Sequence, residues 1–148
     1  MIRELKTTQN KSVSLLYTSA VVKKGAPVDI DFEDDTVKAT EDGLGTLLCD
    51  VNAKYEGINS ILTPTDAEFE EAAVGELVRV INTRLDEMYA TSELDTETLQ
   101  KGDPLKAVNG KFVKATSGAY AWKYDGTYSD PTGIKMGKIV RVEISTVA

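Results

Sequence analysis

Apolar residues recur at every second position in several stretches of this chain, the period of strands that bury one face. In the closing segment Val140, Val142 and Ile144 fall on one face and Arg141 and Glu143 on the other, which predicts a half-buried strand with the aliphatic row inward. Near the start, Val13, Leu15 and Tyr17 share a face at the same spacing, although Leu16 interrupts the alternation. Ile30 and Phe32 alternate with Asp29 and Asp31, giving a strand with a solvated acidic face that runs into a turn at Glu33-Asp34-Asp35. Asn109-Gly110 is the strongest hairpin signal, because both central residues of a type I′ turn need positive φ; it joins strands at 105–108 and 111–115. Asp125-Gly126 marks another hairpin tip.

The pattern is also duplicated. Lys24-Gly25-Ala26-Pro27-Val28 is echoed by Lys101-Gly102-Asp103-Pro104-Leu105, and Val37-Lys38-Ala39-Thr40 by Val113-Lys114-Ala115-Thr116. Gly75-Glu76-Leu77-Val78-Arg79-Val80 then matches Gly137-Lys138-Ile139-Val140-Arg141-Val142, with an insertion in the first copy. Matches in the same order imply two related units, each a strand, a turn and a return strand. The Gly-x-Pro opens each unit, with proline at a strand start where its missing N–H costs little.

Between the units, Thr65-Asp66-Ala67-Glu68 has the form of a capping box and predicts a short helix from Phe69 to Ala73. Phe69, Ala73, Leu77, Val80, Ile81, Leu85 and Met88 are helically spaced, so periodicity alone would continue that helix to Tyr89. The repeat favours strands near 76–82 and 86–91 instead. The expected architecture is mainly β: two related β units, barrel- or sandwich-like, at about 20–90 and 98–148, with one short helix between them. Residues 1–19 form an N-terminal arm or first strand, and the acidic stretch 90–98 a surface loop.

Composition removes most chemistry. The 148 residues carry a net charge of −7 and no histidine. Without histidine the Ser–His and Cys–His pairs are absent, and with a single cysteine a thiolate metal cage cannot form. Cys49, inside Leu47-Leu48-Cys49, reads as a small buried hydrophobe, and the lack of a second cysteine fits folding in a reducing cytoplasm. No basic stripe exists to neutralise phosphates, so neither nucleic acid nor an anionic membrane surface is an expected partner. The acidic run Asp29–Asp35 fails as an EF-hand, because the sixth and twelfth positions hold Asp34 and Thr40. It is read as a strand face and turn. No catalytic, cofactor-binding or metal-binding residues are assigned, and the chain is not expected to be an enzyme.

Contact residues are more visible. Tyr120, Trp122 and Tyr124, spaced by two, share one strand face, with Tyr128 close by. They read as a core face, a subunit interface, or a carbohydrate-stacking platform. Arg3, Lys6 and Lys11 stand against only Glu4 in the first nineteen residues, opposite to the acidic balance of the whole. A docking role for this arm and a merely frayed terminus are both open.

Leu99-Gln100-Lys101-Gly102-Asp103-Pro104-Leu105, with Asn109-Gly110-Lys111, Val113-Lys114-Ala115-Thr116 and the closing Gly137-Lys138-Ile139-Val140, resembles the small β-rich accessory (decoration or cement) proteins of tailed-phage heads. The likeness covers about 20–57 and 98–145. It implies a structural virion protein, made in the host cytoplasm, that binds the major capsid protein on the capsid exterior as a homo-oligomer, with a trimer favoured. The arm and the Tyr120–Trp122–Tyr124 face would be its contacts. The alternative is a carbohydrate- or receptor-binding β module of a phage tail or fibre, which would use the aromatic face for stacking.

Overall fold

The computed structural model describes residues 1–7, 12–50, 71–129, 131 and 133–147. It is mainly β, 62% strand, with no helix among the described residues. The strands are β1 (Ile2–Lys6), β2 (Ser12–Thr18), β3 (Val22–Lys23), β4 (Val28–Asp31), β5 (Thr36–Ala39), β6 (Asp42–Gly43) and β7 (Leu47–Asp50). They continue as β8 (Glu71–Ala72), β9 (Leu77–Asn82), β10 (Met88–Thr91), β11 (Pro104–Val108), β12 (Lys111–Lys114), β13 (Gly118–Ser129) and β14 (Lys135–Val147).

A seven-stranded sheet has the order β1-β10-β14-β13-β11-β12, with β6 added to β11; a five-stranded sheet has the order β4-β5-β2-β9-β7; β3 and β8 form a ribbon. The sheet surface curls into a half-barrel. In the larger sheet the curl brings β12 round to the continuation of β10: the Phe112 N–H donates to the Glu93 carbonyl at 2.9 Å, and Leu94 bridges Phe112. In the smaller sheet the far strand β7 meets the segment leading into β4. There the Gly25 N–H reaches the Cys49 carbonyl at 2.7 Å, and the Cys49 N–H reaches the Ala26 carbonyl at 3.0 Å. The β12 edge of the larger sheet and the β7 edge of the smaller one are thereby covered by the chain itself.

Two apolar clusters fill the curls. One holds Ile2, Leu48, Ile81, Tyr89, Leu105, Phe112, Trp122 and Ile139, and the other Val22, Val28, Val37, Cys49, Val78 and Val80. The smaller sheet feeds both, because alternate residues of β7 and β9 point to opposite sides. Leu48 and Ile81 pair across one face into the first cluster, and Cys49 and Val80 pair across the other into the second.

The whole of the predicted capping box, Thr65–Glu68, and the first two residues of the expected helix lie outside the described residues. The next residues, Glu71–Ala72, are strand β8 paired with β3, so the expected short helix does not run through them. Residues 77–82 and 88–91 are strands β9 and β10. Their helix-like spacing arises because Val80 and Ile81 are both buried, one in each cluster, which mimics an i, i+1 helical face.

The duplication survives as a hairpin. Val28 faces Ala39 and Ile30 faces Val37 in the first copy; Leu105 faces Lys114 and Ala107 faces Phe112 in the second. Anchoring both on the proline makes Phe112, not Val113, the counterpart of Val37. Val37 is fully buried and Val113 is 36% exposed, because a slip of one residue reverses a strand's faces. The third match is out of phase in the same way, since Val78 is buried where Ile139, not Val140, points inward. Strands from before and after residue 90 share a sheet. β1, β6 and β10 all lie in the larger sheet with β11–β14.

Three further sequence expectations are reversed. Leu15 and Tyr17 are 52% and 59% exposed, while the interrupting Leu16 packs on the second cluster. In β14, Ile139 fills the core and Arg141 lies over Trp122, whereas Ile144 is 59% exposed. Asp125-Gly126 is no hairpin tip but a register shift inside β13. Asn109-Gly110 forms its expected turn, with φ of 50° and 77°.

Gly45 joins the sheets, and its φ of +69° leaves an added Cβ 2.9 Å from the Phe112 ring and 3.0 Å from Ala107. The Gly45→Ala variant is expected to lose about 2–4 kcal/mol, from left-handed backbone strain plus overpacking. Gly75→Ala, at φ +82° with nothing within 4 Å, should lose only about 1 kcal/mol. Urea denaturation midpoints of the two variants check this, and equal shifts would contradict it.

Candidate functional site

The aromatic row does not form one face. Tyr120 pairs with Ser145 and Trp122 with Arg141, so β14 carries extra residues between these points and the ladder shifts. Ala121 and Trp122 are then buried side by side, and Tyr124 is 3% exposed. Only Tyr120 and Tyr128 stay half-exposed. The Trp122 indole donates to the Gly45 carbonyl at 2.9 Å. Its ring meets Tyr89 and Phe112 edge-on, with centroids 6.1 and 5.6 Å away, the geometry that ring quadrupoles favour. The Arg141 guanidinium covers it at 6.0 Å, with Nη1 donating to the Ala121 and Val142 carbonyls. Burial lowers the Arg141 pKa, and burial raises that of Tyr124. A sugar ring has no access to the Trp122 face.

The basic residues of the proposed arm are built into a strand. Arg3 and Lys6 lie exposed on β1, whose Ile2, Arg3 and Glu4 pair with Thr91, Ala90 and Tyr89. Residues 12–18 are β2, between β5 and β9 in the smaller sheet. Lys11 lies outside the described residues. Of the two readings of residues 1–19, arm or first strand, the described residues form strands, and Ile2, 6% exposed, belongs to the first cluster. The outer edge of β1 nonetheless carries Arg3 and Lys6, and a register shift between Glu4 and Lys6 interrupts it. Both features blunt pairing by a foreign strand.

At the opening of the second hairpin, Asp103 acts locally. Its carboxylate accepts the Gln100 N–H at 2.9 Å and meets Lys114 Nζ at 3.3 Å. The backbone hydrogen bond first, and Lys114 after it, hold its pKa below the usual carboxylate value. Glu87, 1% exposed, accepts the Arg84 N–H and the Tyr89 hydroxyl, closing the turn between β9 and β10. Among the described residues no group of three His, Cys, Asp or Glu side chains is arranged to hold a metal ion.

Periodicity missed the most exposed large apolar side chain among the described residues. Phe32, expected to share a strand face with Ile30, lies at the tip of the β4–β5 hairpin and is 82% exposed. The Asp31 carboxylate accepts the Glu33 and Asp34 N–H groups at 2.9 and 3.3 Å, and Asp35 is left-handed at φ 55°. The tip is therefore pre-shaped. A turn's acidic composition was legible, but not that the register would leave Phe32 one place beyond the last paired residue. At the other end of the hairpin a cleft of about 280 Å³ is lined by Val21, Lys23, Ala26, Ala39, Glu93 and Lys111, among others. Another, of about 400 Å³, lies at the β13–β14 tip beside Tyr128 and Ile134.

No family model, curated protein or solved structure matches the chain.

Trp122 is the single tryptophan, so its fluorescence reports this core directly. Native emission should be blue-shifted and insensitive to iodide and to added sugars; a red-shifted, quenchable signal would contradict the burial. Cys49 offers a second probe. Burial first, then Asp50, pushes its thiol from 9.0 up to about 12. The unfolded thiol ionises near 9.0 while the folded one keeps its proton to about 12, so this group's contribution to stability is lost as pH rises across that window. Labelling at pH 8 should proceed only on unfolding, and Cys49→Ala should flatten part of the alkaline stability loss.

Proposed function

We propose that this chain is a structural virion protein that binds and stabilises the outside of a tailed-phage capsid, acting by contact as a homo-oligomer with the major capsid protein as its partner. The observation that carries the reading is where the family-like motifs fall. The strand opening Lys101-Gly102-Asp103-Pro104, the Asn109-Gly110-Lys111 turn and the closing Gly137-Lys138-Ile139-Val140 belong to β11, β12 and β14 of one sheet, or to the turns beside them. Their gathering in one sheet supports the resemblance.

Further support comes from the covered sheet edges and from the aromatic core. A cement protein must persist outside the cell, and the self-covered edges resist strand exchange with other chains. The rival carbohydrate- or receptor-binding module needs an accessible aromatic platform. Trp122, its best candidate, is fully buried and hydrogen-bonded to Gly45. Exterior contacts are left to residues such as Arg3, Lys6 and Tyr120.

Sedimentation of the purified protein with empty capsid shells tests the reading. Co-sedimentation at a stoichiometry tied to the lattice is expected; a protein that stays in the supernatant refutes the reading for that shell. Because β1 is part of the core sheet, the contact of its basic edge is tested by Arg3→Glu with Lys6→Glu rather than by truncation. Binding should weaken by about tenfold or more, with the thermal midpoint nearly unchanged. Undiminished binding would remove β1 from the contact.

A further inference from the structure

The β4–β5 hairpin presents opposite chemistries at its two ends. Its tip holds Phe32, 82% exposed, amid Asp31, Glu33, Asp34 and Asp35. Among the described residues no cation pairs with any of these carboxylates, and the neighbouring Lys38 is engaged by Glu41 at 3.6 Å. At its base lies the cleft of about 280 Å³, with Ala26, Ala39 and the 54%-exposed Val21 as apolar walls. Lys23 and Lys111 line the same cleft, are exposed, and have no carboxylate partner among the described residues. Glu93 also lines it, 8% exposed, with the Ser92 hydroxyl donating to it at 3.5 Å. An acidic collar around one exposed ring thus stands on the same molecule as an apolar notch with two ammonium groups, none of them in an ion pair among the described residues.

We infer that these surfaces are the two halves of a contact between copies of this chain, with Phe32 of one copy seated against Val21, Ala26 and Ala39 of the next. The acidic collar then meets Lys23 and Lys111. Tip and cleft lie on one hairpin, separated by about 13 Å of strand, so a single copy cannot satisfy itself. The contact is head-to-tail, uses different patches on the two partners, and closes into a ring when the rotation permits. The buried ring supplies the anchor; the charge pairs set orientation and approach. The inference rests on the homo-oligomer part of the proposed function and not on the capsid, so the purified protein alone tests it.

Light scattering and sedimentation velocity over a concentration series are the measurements. The wild type should show a mass that is an integer multiple of 16.1 kDa, with association weakening as ionic strength rises. Phe32→Ser should weaken association by about tenfold or more, with a circular dichroism melt reporting that the exposed site leaves folding intact. Lys111→Glu should also weaken it, and Lys111→Glu combined with Asp34→Lys should restore it, because only a pairing of these two surfaces gains from the exchange. The inference falls on any of these results: a monomer up to about 1 mM (a contact worth less than about 4 kcal/mol), an oligomer indifferent to Phe32→Ser, or a charge exchange that gives no recovery. Capsid binding that persists in a monomeric Phe32→Ser variant would separate the shell contact from this one.

Discussion

The indole hydrogen bond from Trp122 to the Gly45 carbonyl, at 2.9 Å, is the constraint on which the assembly of the two sheets depends. Gly45 follows β6, in a segment that leaves the smaller sheet after β5, touches the larger sheet, and returns to the smaller one as β7. A buried indole N–H without an acceptor would cost about 1–3 kcal/mol, so the crossing has to pass where its carbonyl reaches the ring. That path is available only to a residue that tolerates left-handed φ and lacks a Cβ, since Phe112, Ala107 and Pro27 crowd the position. Just before it, the Thr40 and Glu41 carbonyls accept the Gly110 and Asn109 N–H groups at 2.8 and 3.0 Å. The type I′ turn of the second hairpin is thus clamped to the end of the first.

Interlocking follows from the same crossing. β1 pairs with β10 some 85 residues later (Ile2 with Thr91, Glu4 with Tyr89), while β2 joins the other sheet. Neither sheet can be finished by a contiguous stretch of chain, and each curl is closed by a segment that also serves elsewhere. Pairings at such separations require loop closure before they return any stabilisation. Such non-local pairings slow folding, and excising either proposed unit would strip strands from the larger sheet.

Fold class, the Asn109-Gly110 turn and the recurring Gly-x-Pro hairpin were legible because each depends on local chemistry: φ preference, a missing N–H, and alternation. The strand faces were not. Leu15 with Tyr17, and Val140 with Ile144, obey the strand period, but the period states only that alternate residues share a side. Which side is inward depends on strands far away in sequence. Arg141 shows the difficulty best, since an arginine reads as solvent-facing until Trp122 supplies a ring for its guanidinium and two carbonyls for Nη1. The aromatic row failed for a different reason. Even spacing predicts one face only on an unbroken ladder, and the register shift between Tyr120 and Trp122 breaks it. Nothing in the run Tyr120-Ala121-Trp122 marks that shift, because the extra residues belong to the partner strand.

Among the described residues Leu15, Tyr17, Val74, Leu85 and Ile144 also leave much of their apolar surface exposed, but Phe32, at 82%, leaves the most. Core burial consumes Trp122 and Tyr124, and self-covering consumes the edges of β7 and β12. The first hairpin differs from the second chiefly in its turn: four residues, Phe32 to Asp35, where the second has the two residues Asn109 and Gly110. The shorter turn is folded back and buried in part, with the Gly110 amide clamped at 2.8 Å. The longer one projects, and its added residues include an aromatic ring and three carboxylates. A charge of −7 spread over a domain favours solubility and resists indiscriminate contact. Concentrating a share of it around one exposed ring does something narrower, since like-charged surfaces are repelled and only an apolar notch bearing cations is accepted. Divergence between the copies of the repeat has therefore left one hairpin as scaffold and the other as a surface for contact.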